Sequence, residues 1–460
     1  MTPLEAKQYL DSFINYEIYS PKINPQRSFK LDRVKKLFNS LGNPQKKIKS
    51  IHIAGTKGKG STCAFTSSIL KRAGYKVGLY TSPHLCDFKE RIRILDPTQG
   101  SENSADTFWG KIKDKQLANI LEKIKDVLET LRVDPKLGRL SYFEVLTAVA
   151  VYHFVQSKVD FAVLETGLGG RLDATNSIDS LVGAITPISL EHTKYLGPTI
   201  SAIAAEKAAI IKNKNQSAVI APQMLAAQAI IKKRCEQYQA KTLWIGKNIQ
   251  YKCVDRNLDG QIFHLKSSKN DYRYLKTKLL GEHQIVNAAT ALGIVESLCA
   301  LGFAISEDAV HEGIVRAVWP GRFEILKKDP YIILDGAHNP ASAQALAKTI
   351  QEFFPKEKVT LILGVSDDKD KLGIARALQK IAKKIIFTKA DHPRASWLSE
   401  EESQDLFPGK EILRTENMRQ ALEAVLRTIA KEEIILITGS LFVVGEARGY
   451  LTDKTFAFER

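Results

Sequence analysis

The sequence predicts an α/β protein with two units: a larger N-terminal unit built on a mostly parallel sheet with flanking helices, and a smaller C-terminal unit of Rossmann-like α/β type. Short β-branched runs alternate with segments of helical periodicity, which is the pattern of βαβ units. A length of 460 residues also exceeds what one hydrophobic core usually supports. We therefore expect domains at residues 1–316 and 317–460.

The N-terminal unit is expected to open with a strand, a glycine-rich turn, a helix and a second strand, at residues 48–54, 55–60, 61–72 and 76–80. A polar, turn-rich loop is expected at 96–110. Helices are then expected at 116–133, 141–156 and 199–212, and strands at 159–164, 181–185 and 218–220. This order predicts a parallel sheet.

The C-terminal unit repeats the alternation on a smaller scale. Strands are expected at 331–334, 359–363, 384–387 and 433–437, with helical segments between them. We place the division of the chain near residues 315–320, at the segment Trp319-Pro320-Gly321-Arg322.

Composition and charge exclude several classes of protein. Lys and Arg outnumber Asp and Glu by 67 to 51, but the basic residues are spread along the chain without a run or an aromatic-interleaved patch. An anionic small substrate or a generally basic surface explains this charge, so we expect no nucleic-acid partner. Five scattered cysteines indicate neither a disulfide framework nor a zinc site. The opening residues lack a signal-peptide pattern and no apolar run is long enough to span a bilayer, so we expect a cytoplasmic protein without a membrane partner.

A glycine-rich segment between the first expected strand and helix is the strongest chemical signal. It consists of Gly55, Thr56, Lys57, Gly58, Lys59, Gly60, Ser61 and Thr62. Glycines let backbone amides turn around phosphate oxygens, the helix N-terminus adds positive potential, Lys59 neutralises phosphate charge, and the Ser61 hydroxyl can reach Mg²⁺. The segment departs from the strict P-loop pattern because Gly60 follows the lysine. It predicts an ATP-binding phosphate loop.

This loop resembles that of the Mur-ligase superfamily, and further stretches resemble folylpolyglutamate synthases/dihydrofolate synthases. They are residues 81–85, 90–91, 165–176, 281–284 with 287–288, 319–322, 335–340 and 438–440. The matches run in family order over nearly the whole chain. The resemblance implies a P-loop ATPase-type N-terminal domain and a C-terminal glutamate-ligase domain.

The resemblance implies a magnesium site at the ends of parallel strands. Glu165 closes an apolar strand, where a parallel sheet offers a carboxylate beside a phosphate loop, and Ser82 and His192 follow other strands. By resemblance, Ser82, Glu165 and His192 are the protein ligands of Mg²⁺, with the Ser61 hydroxyl. The family usually has Asp-His where this chain has Glu191-His192, a change that lengthens the carboxylate.

Further roles follow only from the resemblance. Lys207 corresponds to a lysine that is carbamylated in the family, and we assign it to catalysis with Lys59 and His338. Asn287, Arg322 and Asp335 are expected to bind the nucleotide. Leu172, Asp173, Ala174 and Thr175 are expected to line the pteroate or folate pocket.

The implied reaction is ATP-dependent addition of L-glutamate to a folate or dihydropteroate carboxylate through an acyl phosphate, with ADP and phosphate released. The sequence leaves open whether dihydropteroate, reduced folates or both are used, and the family implies a monomer.

Three alternatives remain at this point. A cell-wall Mur ligase would need a separate N-terminal domain for a UDP-sugar, for which a phosphate loop at residue 55 leaves no room. A GTPase-like switch would need a base-reading motif such as Asn-Lys-x-Asp, which is absent, and a nucleic-acid-binding protein is suggested by charge alone.

Overall fold

The computed structural model describes residues 1–18, 30–99, 107–135, 137–357, 359–431 and 433–452. The strands in chain order are β1 (Ser50–Ala54), β2 (Val77–Tyr80), β3 (Ile92–Leu95), β4 (Phe161–Glu165), β5 (Val182–Ile185), β6 (Ser217–Ile220), β7 (Lys241–Trp244), β8 (Gln250–Asn257), β9 (Gly260–Lys266), β10 (Asp271–Thr277), β11 (Glu324–Lys328), β12 (Tyr331–Leu334), β13 (Val359–Leu363), β14 (Val365–Ser366), β15 (Ala382–Phe387), β16 (Ala395–Ser396), β17 (Glu411–Arg414) and β18 (Ile434–Thr438).

The α-helices in chain order are α1 (Pro3–Asp11), α2 (Leu31–Ser40), α3 (Lys59–Arg72), α4 (Asp114–Arg132), α5 (Tyr142–Gln156), α6 (Thr193–Leu196), α7 (Ile200–Ala208), α8 (Leu225–Gln237), α9 (Glu282–Ala300), α10 (Glu307–Val315), α11 (Pro340–Phe353), α12 (Lys371–Leu378), α13 (Glu400–Leu406), α14 (Met418–Leu426) and α15 (Leu441–Thr452). No helix among the described residues combines the length and the apolar character needed to cross a bilayer.

Two large sheets organise the described residues. The first has seven strands in the order β3-β2-β4-β1-β5-β6-β7, and the second has six in the order β11-β12-β18-β13-β15-β17. Both are parallel except for one antiparallel edge strand each, β3 in the first and β11 in the second. We call the first sheet with its packed elements the N-terminal unit and the second sheet with its helices the C-terminal unit. The expected α/β class with mostly parallel sheets is confirmed.

The central strands are buried on both faces, which explains their unbroken apolar sequences. In β4, Phe161 and Val163 belong to a core shared with α3 and α9, whereas Ala162 and Leu164 belong to the core formed with α4 and α5. Because successive side chains of a strand point to opposite faces, one short run serves both cores. The helices therefore cover the sheet on both sides.

The carboxyl ends of these strands carry the candidate residues. β1 leads into the phosphate loop, and β4, its parallel neighbour, ends at Glu165. β2 ends next to Ser82, and β12 of the C-terminal unit ends next to Asp335. Parallel pairing aligns such ends at one edge of a sheet, which is where ligands bind in open α/β sheets.

Several elements differ from the sequence-based expectation. The structure adds the antiparallel sheet β8–β9–β10, in which β9 is mostly buried and β8 and β10 are largely exposed, and the edge strands β3, β7, β11 and β17. α7 ends at Ala208 rather than 212, because the apolar residues that follow are buried in a turn. Part of the expected loop 96–110, residues 100–106, lies outside the described residues. The division at 316/317 stays a prediction.

Candidate active site

The phosphate loop is packed tightly against the segment that follows β5. The backbone amides of Thr56 and Lys57 donate to the Pro187 carbonyl oxygen at 3.0 and 3.1 Å. A Cβ atom on Gly55 would lie 1.8 Å from the Thr186 hydroxyl oxygen. Gly58, with φ of 83°, is the residue before α3. Glycine is required here both for close approach and for the left-handed backbone.

Two distant residues enclose the loop from outside. A Cβ atom on Gly58 would lie 2.1 Å from the Asn287 Oδ1 atom of α9, and one on Gly60 would lie 2.7 Å from the Trp319 ring. The Asn287 side-chain amide donates to the Gln284 side chain at 3.0 Å. The structure thus brings Asn287, a predicted nucleotide-binding residue, directly to the phosphate loop.

Glu165 lies between the phosphate loop and the segment after β2. Its Oε1 atom is 3.9 Å from the Lys59 Nζ atom, and its Oε2 atom accepts from the Ser82 backbone amide at 3.2 Å. Burial raises the pKa of Glu165, and the charge of Lys59 opposes that rise. Three predicted site residues therefore meet at one carboxylate.

Lys207 reaches the same place from α7. Its side chain is buried, and the Nζ atom donates to the Gly55 carbonyl oxygen at 2.7 Å. Burial and the nearby charge of Lys59 lower the pKa of Lys207 to about 7. A buried lysine with a lowered pKa is nucleophilic near neutral pH, because much of it carries no proton.

Glu191 links the two units. Its carboxylate lies 3.3 Å from the Lys57 Nζ atom, and the Oε1 atom is 3.0 Å from both the His338 Nε2 atom and the Asn339 Nδ2 atom. Burial favours protonation of Glu191, but the charge of Lys57 and the hydrogen bond with His338 outweigh it, so the pKa of Glu191 is well below its ordinary value. Burial lowers the pKa of Lys57 to about 8.

Each ring nitrogen atom of His338 lies close to an oxygen atom. The Nδ1 atom is 2.7 Å from the Gly336 carbonyl oxygen, and the Nε2 atom is 3.0 Å from Glu191. A carbonyl oxygen can only accept, so the contact with Gly336 needs a proton on Nδ1, and the contact with an ionised Glu191 needs a second proton on Nε2. Burial and Lys57 lower the pKa of His338, while Glu191 acts in the opposite direction.

Arg322 and Asp335 lie near the entry to the C-terminal unit, where the Arg322 Nη1 atom donates to the Gly321 carbonyl oxygen at 2.9 Å. Asp335 accepts from the backbone amides of Phe323 and Ala337 at 2.8 and 2.9 Å. Burial raises the pKa of Asp335 and lowers that of Arg322, and the charges of Asp335 and Glu165 oppose the change at Arg322. Both predicted nucleotide-binding residues are therefore anchored by the backbone around them.

A cavity of about 610 Å³ opens between the two units. From the N-terminal unit it is lined by Ser82, His192 and the run Leu172, Asp173 and Ala174, and from the C-terminal unit by His338 and Ser440, among others. His192 has a left-handed backbone with φ of 52°, and burial lowers its pKa to about 3, so its imidazole is neutral. A volume of this size suits a small-molecule substrate.

Family models and relatives identify this arrangement. Residues 115–295 match the Mur ligase middle domain, and residues 321–441 match the Mur ligase glutamate ligase domain. The Bacillus subtilis protein named dihydrofolate synthase/folylpolyglutamate synthase is 35% identical over 427 residues, which cover 91% of this chain and 94% of that protein. The chain belongs to the dihydrofolate synthase/folylpolyglutamate synthase family of Mur ligases. It is an ATP-dependent ligase.

Solved structures of this ligase family match over the whole chain. The Mycobacterium tuberculosis folylpolyglutamate synthase complexed with ADP has a TM-score of 0.86 and 31% identity, with 98% of both chains covered. The Escherichia coli FolC protein in complex with DHPP and ADP has a TM-score of 0.81 and 29% identity, covering 98% of this chain and 97% of that one. The two-unit architecture is therefore that of the family.

The residues of the ligase fit a magnesium ion that is held partly by phosphates. Among the residues that the structure describes, no group of three or more His, Cys, Asp or Glu side chains forms a metal cage. Mg²⁺ does not need one, because it usually keeps waters and binds through one or two carboxylates plus substrate phosphates. The Glu165 carboxylate, whose Oε1 atom lies 3.9 Å from the Nζ atom of Lys59 in the phosphate loop, is suited to that role.

One predicted pocket residue does not reach the cavity of the ligase. Thr175 is fully buried and is not among the lining residues; its amide and hydroxyl donate to the Asp173 Oδ1 atom, and the His52 Nε2 atom lies 2.7 Å from its hydroxyl. Asp173 also accepts from the Leu168 amide at 2.8 Å. Thr175 therefore holds Asp173 in position by hydrogen bonds, on the side of Asp173 that faces away from the cavity.

Some contacts and residues at the site of the ligase were not predictable from the sequence. The Glu191 contacts with Asn339 and Lys57 cross between segments far apart in sequence, so no local pattern indicates them. Lys369 and Arg394 also line the cavity, from loops of the C-terminal unit. The dense charge of residues 367–371 was the available signal for Lys369.

Proposed function

We propose that the chain adds L-glutamate to the carboxylate of a folate or dihydropteroate, giving folylpolyglutamates, dihydrofolate or both, with ADP and phosphate. The observation that supports this most strongly is the cavity between the units, which is lined by residues beside the phosphate loop on one side and by the His338 motif on the other. A junction of this kind can bring substrate, nucleotide and amine together. This would place the enzyme in folate and one-carbon metabolism.

The first step is attack of the substrate carboxylate on the γ-phosphorus of ATP, which forms an acyl phosphate and releases ADP. The phosphate loop amides and Lys59 would stabilise the charge that develops on the transferred phosphoryl group. Asn287, Arg322 and Asp335 would hold the nucleotide. Ser61, Ser82, Glu165 and His192 would hold Mg²⁺, which supplies charge neutralisation at the phosphates when bound.

In the second step the neutral amine of glutamate attacks the acyl carbon, the C–N bond forms, the C–O bond to phosphate breaks, and the proton that the amine loses passes to the released phosphate. His338 lies on the wall of the cavity that belongs to the C-terminal unit, and we assign it to the incoming glutamate and the leaving phosphate. Leu172, Asp173 and Ala174 would line the pteroate pocket. Closure of the cleft would protect the acyl phosphate from water.

Lys207 is the proposed site of carbamylation. Carbamylation needs a neutral amine, and burial lowers the pKa of Lys207 to about 7. The product would carry a negative charge beside the phosphate loop and could help to hold a second metal ion. Removal of CO₂ from the buffer should lower activity, and added bicarbonate should restore it.

The direct test is phosphate release from ATP by the purified protein with Mg²⁺ and glutamate, with dihydropteroate or tetrahydrofolate in separate reactions and mass spectrometry of the products. Glutamylation of both substrates would show that the enzyme is bifunctional. Glutamylation of only one would identify that compound as its substrate. Phosphate release that depends on neither substrate would contradict the folate proposal and favour a Mur-type amino-acid ligase with another acceptor. The expected cytoplasmic location and monomeric state stay predictions.

A further inference from the structure

The backbone that carries Glu191 is fixed to the phosphate loop. Besides the two amide bonds to the Pro187 carbonyl oxygen, the Thr56 hydroxyl donates to the Ser189 carbonyl oxygen at 3.2 Å, and the Ser189 amide is 3.2 Å from the Thr56 hydroxyl oxygen. The Gln223 side chain accepts from the Ile188 amide at 3.1 Å on the other side. Glu191 thus extends from a segment that is hydrogen-bonded to the phosphate loop at several points.

The residues that Glu191 contacts across the cleft are equally fixed to the C-terminal unit. Asn339 precedes α11, and its Oδ1 atom accepts from the Ser342 amide at 2.9 Å as a helix cap. The Gly336 amide donates to the Gly321 carbonyl oxygen at 2.8 Å, which holds the turn that carries His338. The cap leaves only the Asn339 side-chain amide nitrogen facing Glu191, so the contact has a defined polarity.

The carboxylate is also largely withdrawn from water. Its side chain is 9% exposed, and its partners Lys57 and His338 are 25% and 28% exposed. Charge-assisted hydrogen bonds in such surroundings are stronger and more directional than those on an open surface. By contrast, the ion pair between Glu282 of α9 and Lys348 of α11, at 2.8 Å, joins the same two units with side chains that are 59% and 69% exposed.

We propose that Glu191 is a positioning residue that latches the phosphate loop to the His338–Asn339 turn, and so sets the closed cleft in which the acyl phosphate meets the amine. This inference rests on the proposed function. Glu191 touches neither reacting atom; it acts through Lys57, His338 and Asn339. When the latch is lost, the acyl phosphate should be exposed to water, and ATP should be hydrolysed without amide formation.

Two single substitutions weaken the latch while preserving shape. Glu191→Gln removes the charge, and Asn339→Asp keeps the helix cap but turns the amide donor into a second acceptor that faces Glu191. Each should raise the ratio of phosphate released to amide formed by roughly tenfold, the scale of losing charge-assisted hydrogen bonds. Each should also raise the KM for glutamate more than it lowers the kcat for phosphate release.

The double variant Glu191→Gln with Asn339→Asp restores a hydrogen bond of reversed polarity, since the new amide donates to the new carboxylate. It should recover a large part of the coupling that either single variant loses. Lys348→Gln, which removes the exposed ion pair between the same units, should leave the ratio unchanged. Thermal unfolding of every variant controls for loss of fold.

Unchanged coupling in both single variants, or a double variant no better than either one, would overturn the proposal. Small-angle X-ray scattering without ligands gives a test that does not need the folate reaction. The radius of gyration of Glu191→Gln should exceed that of the wild-type protein and of Lys348→Gln. If the wild-type protein forms no glutamylated product, the proposed function fails, and the scattering result alone decides whether the latch exists.

Discussion

Lys59 carries the charge that the proposed first step needs. It lies at the start of α3, its Nζ atom is 3.9 Å from the Glu165 Oε1 atom, and its side chain is 17% exposed. Lys59→Met should lower kcat for ATP-dependent ligation by about 10²–10³-fold, the usual loss when one charge-stabilising donor is removed. Steady-state phosphate release measures this.

The matched control for Lys59 is Lys71, at the other end of the same helix, which lies 4.0 Å from the Trp109 ring centre. Lys71→Met should keep kcat near that of the wild-type enzyme. Equal losses of activity in the two variants would mean that the Lys59 substitution acts through the fold and not through the phosphoryl group.

Burial of His52 makes the free energy of unfolding depend on pH in the acidic range. It is fully buried in β1, and burial lowers its pKa from 6.5 to about 3. Between pH 3 and 6.5 the unfolded chain binds a proton at this histidine that the folded chain does not bind. The free energy of unfolding therefore falls as the pH falls below 6.5, and the contribution of neutral His52 is fully present above pH 6.5. His52→Gln should make that fall shallower, by up to about 1.4 kcal/mol per pH unit.

Urea midpoints measured on both sides of pH 6.5 test the His52 prediction. His311→Gln, which replaces a partly exposed histidine 3.8 Å from Glu307, is the control and should keep the wild-type slope. A His52→Gln variant with the same acid slope as the wild-type protein would show that His52 does not contribute to it.

Single residues differ in how far sequence could predict them. The phosphate loop and Glu165 could be assigned because a strand end and a glycine-rich turn define their surroundings locally. Thr175 could not, since its place behind Asp173 and His52 depends on the packing of β1 against a distant turn. The same holds for Glu191, whose partners lie about 150 residues away.

At the scale of elements, the two ends of α3 provide a matched test. Gly58 and Gly74 both have left-handed backbones, with φ of 83° and 90°. A Cβ atom on Gly58 would collide with Asn287, whereas one on Gly74 would meet nothing within 4 Å. Gly58→Ala should weaken ATP binding at least about tenfold, because either the loop or Asn287 must move.

Gly74→Ala should cost about 1–2 kcal/mol of unfolding free energy from backbone strain and leave ATP affinity unchanged. Isothermal titration with ATP and urea unfolding separate the two effects. An affinity loss of the same size in both variants would contradict the role assigned to the Gly58–Asn287 contact.

Elements buried on both faces were predictable and edge elements were not. β1, β4, β13 and β18 have five buried residues each, so their apolar runs stand out in the sequence. β8 alternates exposed residues with partly exposed ones, and β10 mixes exposed residues, several of them charged, with buried ones, so their sequences resemble those of loops. The antiparallel sheet could therefore not be predicted from apolar runs in the sequence.

At the scale of the whole molecule, the active site depends on the meeting of the two units. Resemblance to the family predicted both units, but only the structure gives the contacts between them, such as those of Glu191 with His338 and Asn339. The cavity of about 610 Å³ is likewise a property of both units together. Its substrate follows from neither unit alone.

Activation of the substrate carboxylate as an acyl phosphate can be followed with an isotope. Dihydropteroate or tetrahydrofolate labelled with ¹⁸O in the reacting carboxylate is incubated with ATP, Mg²⁺ and glutamate, and the phosphate released is analysed by mass. We expect one ¹⁸O atom to be transferred to inorganic phosphate for each amide formed. Amide formation with unlabelled phosphate, or with ¹⁸O in AMP, would contradict it.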